Sequence, residues 1–251
     1  MSTFEAVHEP LVARDVLLGR TTHVRRLVPN KTRRMIGAWC FLDHYGPDDI
    51  KQTGGMWVPP HPHTGLQTVT WLFEGTGLHT DSLGSRQLIR PGQLNVMTAG
   101  AGICHAEVSP EDAPMLLHGV QLWVALPDSV RNSTPPAFTH LADLPTYTEH
   151  GVTVRVLVGS LAGETSAAPA HTPLVGAEIT LRSNVELRPG GAGFHIRATA
   201  GFGIVELFID WKVNDSHPWP SVHCQTDHDS EFISAGNELR SPIHRIDDPD
   251  T

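Results

Sequence analysis

"GGMWVPPHPHTGLQTVTWLFEG", residues 54–75, places two histidines, His61 and His63, directly before an apolar run rich in β-branched residues. Such a run, bounded by glycines at both ends, predicts a β-strand. Successive side chains of a strand point to opposite faces, so residues two apart share a face. The spacing of His61 and His63 therefore predicts that both imidazoles project the same way.

A second stretch, residues 90–107, reads RPGQLNVMTAGAGICHAE and ends in a pair with the same spacing, His105 and Glu107. A Pro-Gly turn, a short apolar run and a glycine turn precede the pair, as expected where an antiparallel barrel brings one strand beside another. On neighbouring strands the two pairs would present three imidazoles and a carboxylate to one point. That set suits Fe, Mn, Co, Ni, Cu or Zn and is too rich in nitrogen for Ca or Mg.

An isolated His-x-His pair is weak evidence for a metal, because 16 histidines in 251 residues place some pairs two apart by chance. A surface or hydrogen-bonded histidine is the usual outcome. The turn and strand pattern around both pairs favours the metal. Since three or four protein ligands leave coordination positions for water, substrate or dioxygen, the sequence predicts a catalytic or ligand-binding metal site.

Both stretches closely resemble the pirin branch of the cupin superfamily, as do GAWCFLDHYGP at 37–47 and HGVQLWVALP at 118–127. The resemblance extends from about residue 12 to residue 190. It implies an all-β fold, a bicupin of two antiparallel β-barrel (jelly-roll) domains, with metal only in the first. It also implies one divalent transition metal ion, Fe(II) favoured and Ni, Zn, Cu, Mn or Co as alternatives, held by His61, His63, His105 and Glu107.

The strand pattern divides the chain into four parts. Residues 1–127 are predicted to form the N-terminal metal-binding cupin domain, and residues 128–147, rich in Pro, Ser, Thr and Asp, a linker. Residues 148–211 resume the strand pattern and are predicted to be a partial second cupin domain without metal. Residues 212–251 lack periodicity and are predicted to be an irregular tail, with a weaker alternative of a second metal site at His217, His223, Cys224 and His228.

The resemblance also bears on activity, because pirins resemble quercetinases. It implies a quercetin 2,3-dioxygenase, which uses O2 to open the ring of a small aromatic substrate, a flavonol, and releases carbon monoxide. Glu107 is the only carboxylate predicted at the metal, so it would serve as both ligand and general base. The alternatives are a non-enzymatic regulatory pirin that binds protein partners, or another cupin dioxygenase or isomerase. The fold does not choose among them.

Composition favours a soluble, turn-rich β protein: 39% of the residues are hydrophobic and 18% charged, with 23 glycines and 20 prolines. The net charge of -9 argues against direct binding of nucleic acid or an acidic membrane. No run approaches the roughly 20 apolar residues of a membrane-spanning helix. The N-terminal sequence has no signal-peptide pattern, and three widely spaced cysteines do not indicate a disulfide framework. A cytoplasmic location is therefore expected.

Other noticeable residues are predicted to be structural. His44 and His118 are expected to be core histidines rather than pocket residues. The basic cluster between residues 25 and 34 is expected to form a solvated face. Cys104 is expected to be a small buried hydrophobe that points away from the face of His105.

Overall fold

A computed structural model of the chain describes residues 11–19, 22–149 and 152–181 and, beyond these, the strands at 185–187, 196–197, 204–210, 222–225 and 244–245. The chain divides into two compact units. The N-terminal unit comprises Ala13–Leu144, and the C-terminal unit comprises Met1–Val12 together with Pro145–Thr251.

Strands make up almost all of the regular secondary structure in the described part of the N-terminal unit. In chain order these elements are β1 (Arg14–Leu18), β2 (Thr22–Val28), β3 (Trp39–Asp49), α1 (Ile50–Thr53), β4 (Trp57–His63), β5 (Leu66–Glu74), β6 (Gly77–Asp81), β7 (Arg86–Ile89), β8 (Leu94–Thr98), β9 (Ile103–Val108), β10 (Leu116–Ala125) and β11 (Ala137–Leu141). None of the helices among the described residues has the length and apolar character needed to cross a bilayer.

Two antiparallel sheets build this unit. The larger has the strand order β1-β2-β3-β10-β5-β8-β11, and the smaller has the order β4-β9-β6-β7. Apolar side chains of both sheets pack in one core, since Tyr45 of β3 and Leu72 of β5 cluster with Ile89 of β7. The predicted antiparallel all-β fold is thus confirmed, with the core between the two sheets.

β9 shows how the local sequence produces a two-faced strand. Ile103, His105 and Glu107 are buried, and the residues between them are less so, which is the alternation expected of a strand with one inner face. The turn before β9 requires glycine at Gly100, where φ is +49° and a Cβ atom would collide with the backbone carbonyl of Thr134. This turn aims His105 and Glu107 into the unit.

The C-terminal unit is also built from antiparallel strands. They are β12 (Thr146–Glu149), β13 (Val152–Val158), β14 (Ser160–Leu161), β15 (Glu164–Thr165), β16 (Val175–Leu181), β17 (Val185–Leu187), β18 (Ile196–Arg197), β19 (Ile204–Asp210), β20 (Val222–Gln225) and β21 (His244–Arg245). The unit contains a five-stranded sheet with the order β12-β13-β16-β19-β20. It also contains a three-stranded sheet with the order β18-β17-β21 and the strand pair β14-β15. Buried residues of β13 and β16 form its apolar core.

The boundary between the two units falls between Leu144 and Pro145, inside the segment 128–147 that the sequence predicts to be a linker. β11 lies in that segment and pairs with β8, so the N-terminal unit extends past residue 127. The Pro-Pro pair just before β11 hides this strand from a pattern search, because proline predicts a loop.

The predicted irregular tail contains two paired strands. β20 pairs with β19, and β21 pairs with β17, so the strand pairing continues beyond residue 211. The rest of the tail, including His217 and His228, lies outside the described residues.

Candidate metal centre

Three histidines meet between the two neighbouring strands β4 and β9. His61 lies directly opposite His105 in the antiparallel register, and His63 follows two residues after His61 on the same strand. The ring centroids are 4.4 Å apart for His61 and His105, 4.8 Å for His61 and His63, and 5.0 Å for His63 and His105. One ring nitrogen from each histidine lies within 4.8 Å of the other two, a spacing that a single metal ion can bridge.

His61 and His105 each have one ring nitrogen that is available to a metal ion. His61 Nδ1 lies 2.8 Å from the carbonyl oxygen of Pro59, so a proton on Nδ1 leaves the Nε2 lone pair available. His105 Nε2 is buried and has no hydrogen-bond partner within the described structure. A buried imidazole nitrogen without a partner is costly unless something binds it. A metal ion between the rings would satisfy this atom.

Burial keeps His63 and His105 in the form that binds metal. Burial, with the neighbouring His61, lowers the pKa of His63 to about 4. Burial and the surrounding imidazoles also place the pKa of His105 far below its ordinary value. Both rings are therefore neutral at pH 7, and neutral imidazole is the form that donates a lone pair to a transition metal.

Glu107 lies beside this cluster rather than at its centre. It follows His105 by two residues on β9, is 6% exposed, and forms a second tight group with His79 and His105 in which all ligand atoms lie within 4.8 Å. Burial raises the pKa of the Glu107 carboxyl to about 7, against a lowering contribution from the Thr70 hydroxyl. Thr70 Oγ1 lies 3.3 Å from Glu107 Oε1 and 2.9 Å from Gln121 Oε1.

The four predicted ligands open onto one cavity of about 250 Å³ that is lined by residues of both sheets. Aromatic rings form part of its wall, since Phe41 and Trp123 stack with centroids 3.9 Å apart and His63 meets Trp123 edge-on at 4.9 Å. Tyr45 also lines the cavity, and its buried hydroxyl has no hydrogen-bond partner among the described residues. Burial and the nearby Glu107 raise the pKa of Tyr45, so this hydroxyl keeps its proton. The cavity offers a flat aromatic ligand both stacking surfaces and a donor.

A buried ion pair closes another part of the cavity. Arg26 donates to both carboxylate oxygens of Asp43 at 2.7 Å, and its guanidinium lies 4.4 Å above the centre of the Phe41 ring. Arg26 therefore turns inward, and the expectation of a fully solvated basic cluster is wrong for this residue. Arg26 turns inward because of a residue distant in sequence. Asp43 is completely buried on the neighbouring strand β3, and a buried carboxylate needs a charged partner.

His79 is a site residue that the sequence does not predict. It lies on β6 directly opposite Glu107 of β9, and its ring is buried 5.2 Å from that of His105. The available signal was the pair His79 and Asp81 in LHTD, spaced by two residues like the other pairs. Nothing local connects that pair with His105, because the contact arises only when β6 joins β9.

Two other histidines lie away from the cavity. His44 Nε2 lies 2.9 Å from His118 Nε2, and Arg25 Nε donates to His44 Nδ1 at 3.1 Å. Neither histidine lines the cavity. His44 is buried, as expected of a core histidine, whereas His118 is only half-buried.

Comparison with known proteins places this site in a family. The model of the family described as Pirin matches residues 21–124, which include all four predicted ligands. The solved structure of a quercetin 2,3-dioxygenase from Acinetobacter baumannii aligns with a TM-score of 0.68 and 37% identity, over 92% of this chain and 79% of that chain. The chain belongs to the pirin family. The resemblance inferred from the motifs is thereby confirmed.

Two curated relatives are also similar over much of the chain. A Pseudomonas aeruginosa protein named "Putative quercetin 2,3-dioxygenase PA1205" is 50% identical over 175 residues, 70% of this chain and 55% of the relative. A Caulobacter vibrioides protein named "Pirin-like protein" is 42% identical over 159 residues, 60% of this chain and 54% of the relative. The chain therefore spans about half the length of the curated relatives it matches.

Proposed function

We propose that this pirin is a metal-dependent dioxygenase that cleaves a flavonol, with quercetin 2,3-dioxygenase activity. The observation that carries the proposal is the cavity itself. Three imidazoles and a buried carboxyl group face it together, and aromatic side chains form part of its wall. The names of the Pseudomonas and Acinetobacter relatives support the same activity.

His61, His63, His105 and Glu107 would hold the metal ion. Three nitrogens and one oxygen fit a divalent transition metal, and we propose Fe(II), with Ni, Zn, Cu, Mn and Co suited to the same donors. The unpartnered Nε2 of His105 supports this fit, because a bound cation would satisfy it. When bound, the metal supplies a positive charge that favours the deprotonated form of a substrate hydroxyl, and sites that can accept dioxygen.

Glu107 is proposed to take the proton of the flavonol 3-hydroxyl on a carboxylate oxygen. In the metal-free protein burial raises the pKa of Glu107 to about 7, and the charge of a bound metal ion would lower it, so the carboxyl would be ionised and able to accept a proton at neutral pH. The Thr70 hydroxyl lies within hydrogen-bond distance of Oε1 and orients the group. The shell of buried residues around it limits access of bulk water, which strengthens its electrostatic effect.

The aromatic wall is proposed to bind the flat rings of the substrate. The stacked pair of Phe41 and Trp123 offers an aromatic face, and the Arg26 guanidinium lies over the Phe41 ring. The unpartnered Tyr45 hydroxyl can donate a hydrogen bond to a substrate oxygen, and Gln121 lines the same cavity. These contacts orient the substrate so that one hydroxyl meets the metal side of the cavity.

The direct test uses the full chain loaded with Fe(II) and incubated with quercetin under air and under nitrogen. We expect flavonol absorbance to fall and carbon monoxide to appear only under air, and both signals to vanish in His61→Ala. Quercetin that stays intact under air in metal-replete protein would overturn the dioxygenase proposal for this substrate. Metal binding without turnover would favour the metal-dependent regulatory role, in which the site acts on a protein partner.

A further inference from the structure

Two residues outside the proposed ligand set, His79 and Asp81, form a hydrogen-bonded row with the proposed ligand His105. His79 and Asp81 lie on β6, where Asp81 is directly opposite His105 and His79 directly opposite Glu107. His79 Nδ1 lies 3.4 Å from His105 Nδ1, and His79 Nε2 lies 3.1 Å from Asp81 Oδ2. The three side chains thus form a row that ends at the metal-facing nitrogen of His105.

The Asp81 carboxylate is fixed by the turn that follows β6. Its Oδ1 accepts hydrogen bonds from the backbone N–H groups of Leu83 at 2.9 Å and Ser85 at 3.0 Å. Its other oxygen, Oδ2, therefore stays directed at His79. Because an ionised carboxylate only accepts hydrogen bonds, His79 must carry its proton on Nε2 and donate a hydrogen bond from this N–H group to Asp81.

The proton on His79 Nε2 determines the tautomer of the next ring. A neutral His79 with Nε2 protonated has its lone pair on Nδ1, and the atom nearest to that lone pair is His105 Nδ1. His105 then carries its proton on Nδ1 and has its lone pair on Nε2. Nε2 is the buried atom without a partner. The row thus leaves the His105 lone pair on the atom proposed to bind the metal.

The ring plane of His79 is also fixed. Phe138 of β11 stacks on it with centroids 4.2 Å apart and an interplanar angle of 14°. Side chains of His79 and Asp81 are almost completely buried, so solvent does not compete for their hydrogen bond. The position of the row depends on β6 and β11 together.

We infer that Asp81 and His79 are positioning residues that fix the tautomer and orientation of His105 and so increase the affinity of the site for a transition metal. This inference rests on the proposed ligand set. It excludes His79 as a ligand, because both of its ring nitrogens are already engaged within the row. Partners of this kind contribute roughly 10- to 100-fold in metal affinity at sites where a carboxylate orients a ligating imidazole.

Asp81→Asn tests the direction of the hydrogen bonds along the row. The asparagine oxygen can still accept from Leu83 and Ser85, but an N–H group then faces His79 in place of Oδ2. His79 must accept that hydrogen bond on Nε2 and move its own proton to Nδ1, which forces the His105 proton to Nε2. We expect Co²⁺ affinity, measured by competition with a chelator, to fall about 10- to 100-fold.

His79→Asn and His79→Leu form a matched pair. The side-chain oxygen of asparagine can occupy the place of Nδ1 and accept from His105, whereas leucine cannot accept a hydrogen bond. We expect His79→Asn to retain most of the Co²⁺ affinity and His79→Leu to lose it as Asp81→Asn does. His118→Asn, which removes a histidine away from the cavity, is the control and should bind Co²⁺ like the unchanged protein.

Nitrogen-15 NMR of the metal-free protein gives a readout that a purely structural role would not change. The His105 spectrum should show the proton on Nδ1 in the unchanged chain and on Nε2 in Asp81→Asn. Equal Co²⁺ affinity and an equal tautomer in the two proteins would overturn the inference. His61→Ala separates this result from failure of the site itself: Co²⁺ binding that survives His61→Ala would refute the ligand set, independently of the row.

Discussion

Glu107 gives the sharpest quantitative prediction, because its burial has a thermodynamic consequence in the metal-free protein. Its pKa rises from an ordinary value of 4.5 to about 7 on folding. Each tenfold change in an acid constant is worth about 1.4 kcal/mol, so the difference corresponds to about 3 kcal/mol. Between pH 4.5 and 7 the folded protein binds more protons than the unfolded chain, and stability therefore falls as pH rises through this window.

Glu107→Gln removes that dependence, because glutamine has nearly the same shape and does not titrate. Urea unfolding of metal-free protein in chelator should show that Glu107→Gln gains about 2.5 kcal/mol over the unchanged protein between pH 5 and pH 8. Glu74→Gln, at an exposed position on β5, is the matched control and should follow the unchanged protein at both pH values. Parallel pH profiles for the unchanged protein and Glu107→Gln would refute the burial argument.

Three further results are expected. In the metal-replete protein, Glu107→Gln should retain part of its metal while flavonol turnover falls roughly 100-fold or more, measured by oxygen uptake; full activity would show that the carboxylate is not the base. Alanine at His61, His63 or His105 should remove metal and activity together, checked by metal analysis after dialysis, and a variant active without bound metal would contradict this. Burial and a neighbouring guanidinium lower the pKa of His44 to about 3. Since the folded state binds fewer protons than the unfolded chain between pH 3 and 6.5, stability falls as pH drops through this window, and His44→Gln should flatten the urea-midpoint profile there; an unchanged slope would contradict it.

The sequence sufficed for the parts of the site that depend on local pattern. The two-residue spacing of His61 and His63 and the turns around His105 predict strands that share an inner face, and the structure pairs His61 with His105 directly. Strand alternation and glycine turns are properties of short stretches, so one sequence reveals them. The motif resemblance to pirins supplied the family, and the comparisons confirm it.

The parts that could not be predicted depend on pairing between distant strands. His79 joins the site only because β6 lies beside β9, and Arg26 turns inward only because Asp43 is buried on the adjacent strand. In sequence, His79 is one of 16 histidines and Arg26 one member of a basic cluster. β11 escaped detection for a similar reason, because its edge pairing with β8 outweighs the prolines that precede it.

The decisive measurement is the position of the bound metal ion relative to the four proposed ligands. Crystals of the Co²⁺-loaded protein, measured at the cobalt absorption edge, would give an anomalous peak that marks the ion. We expect one peak within about 2–2.5 Å of ring nitrogens of His61, His63 and His105 and of a Glu107 oxygen. A peak bound by His79 together with His105 and Glu107 but remote from His61 and His63, or no peak in this cavity, would contradict it.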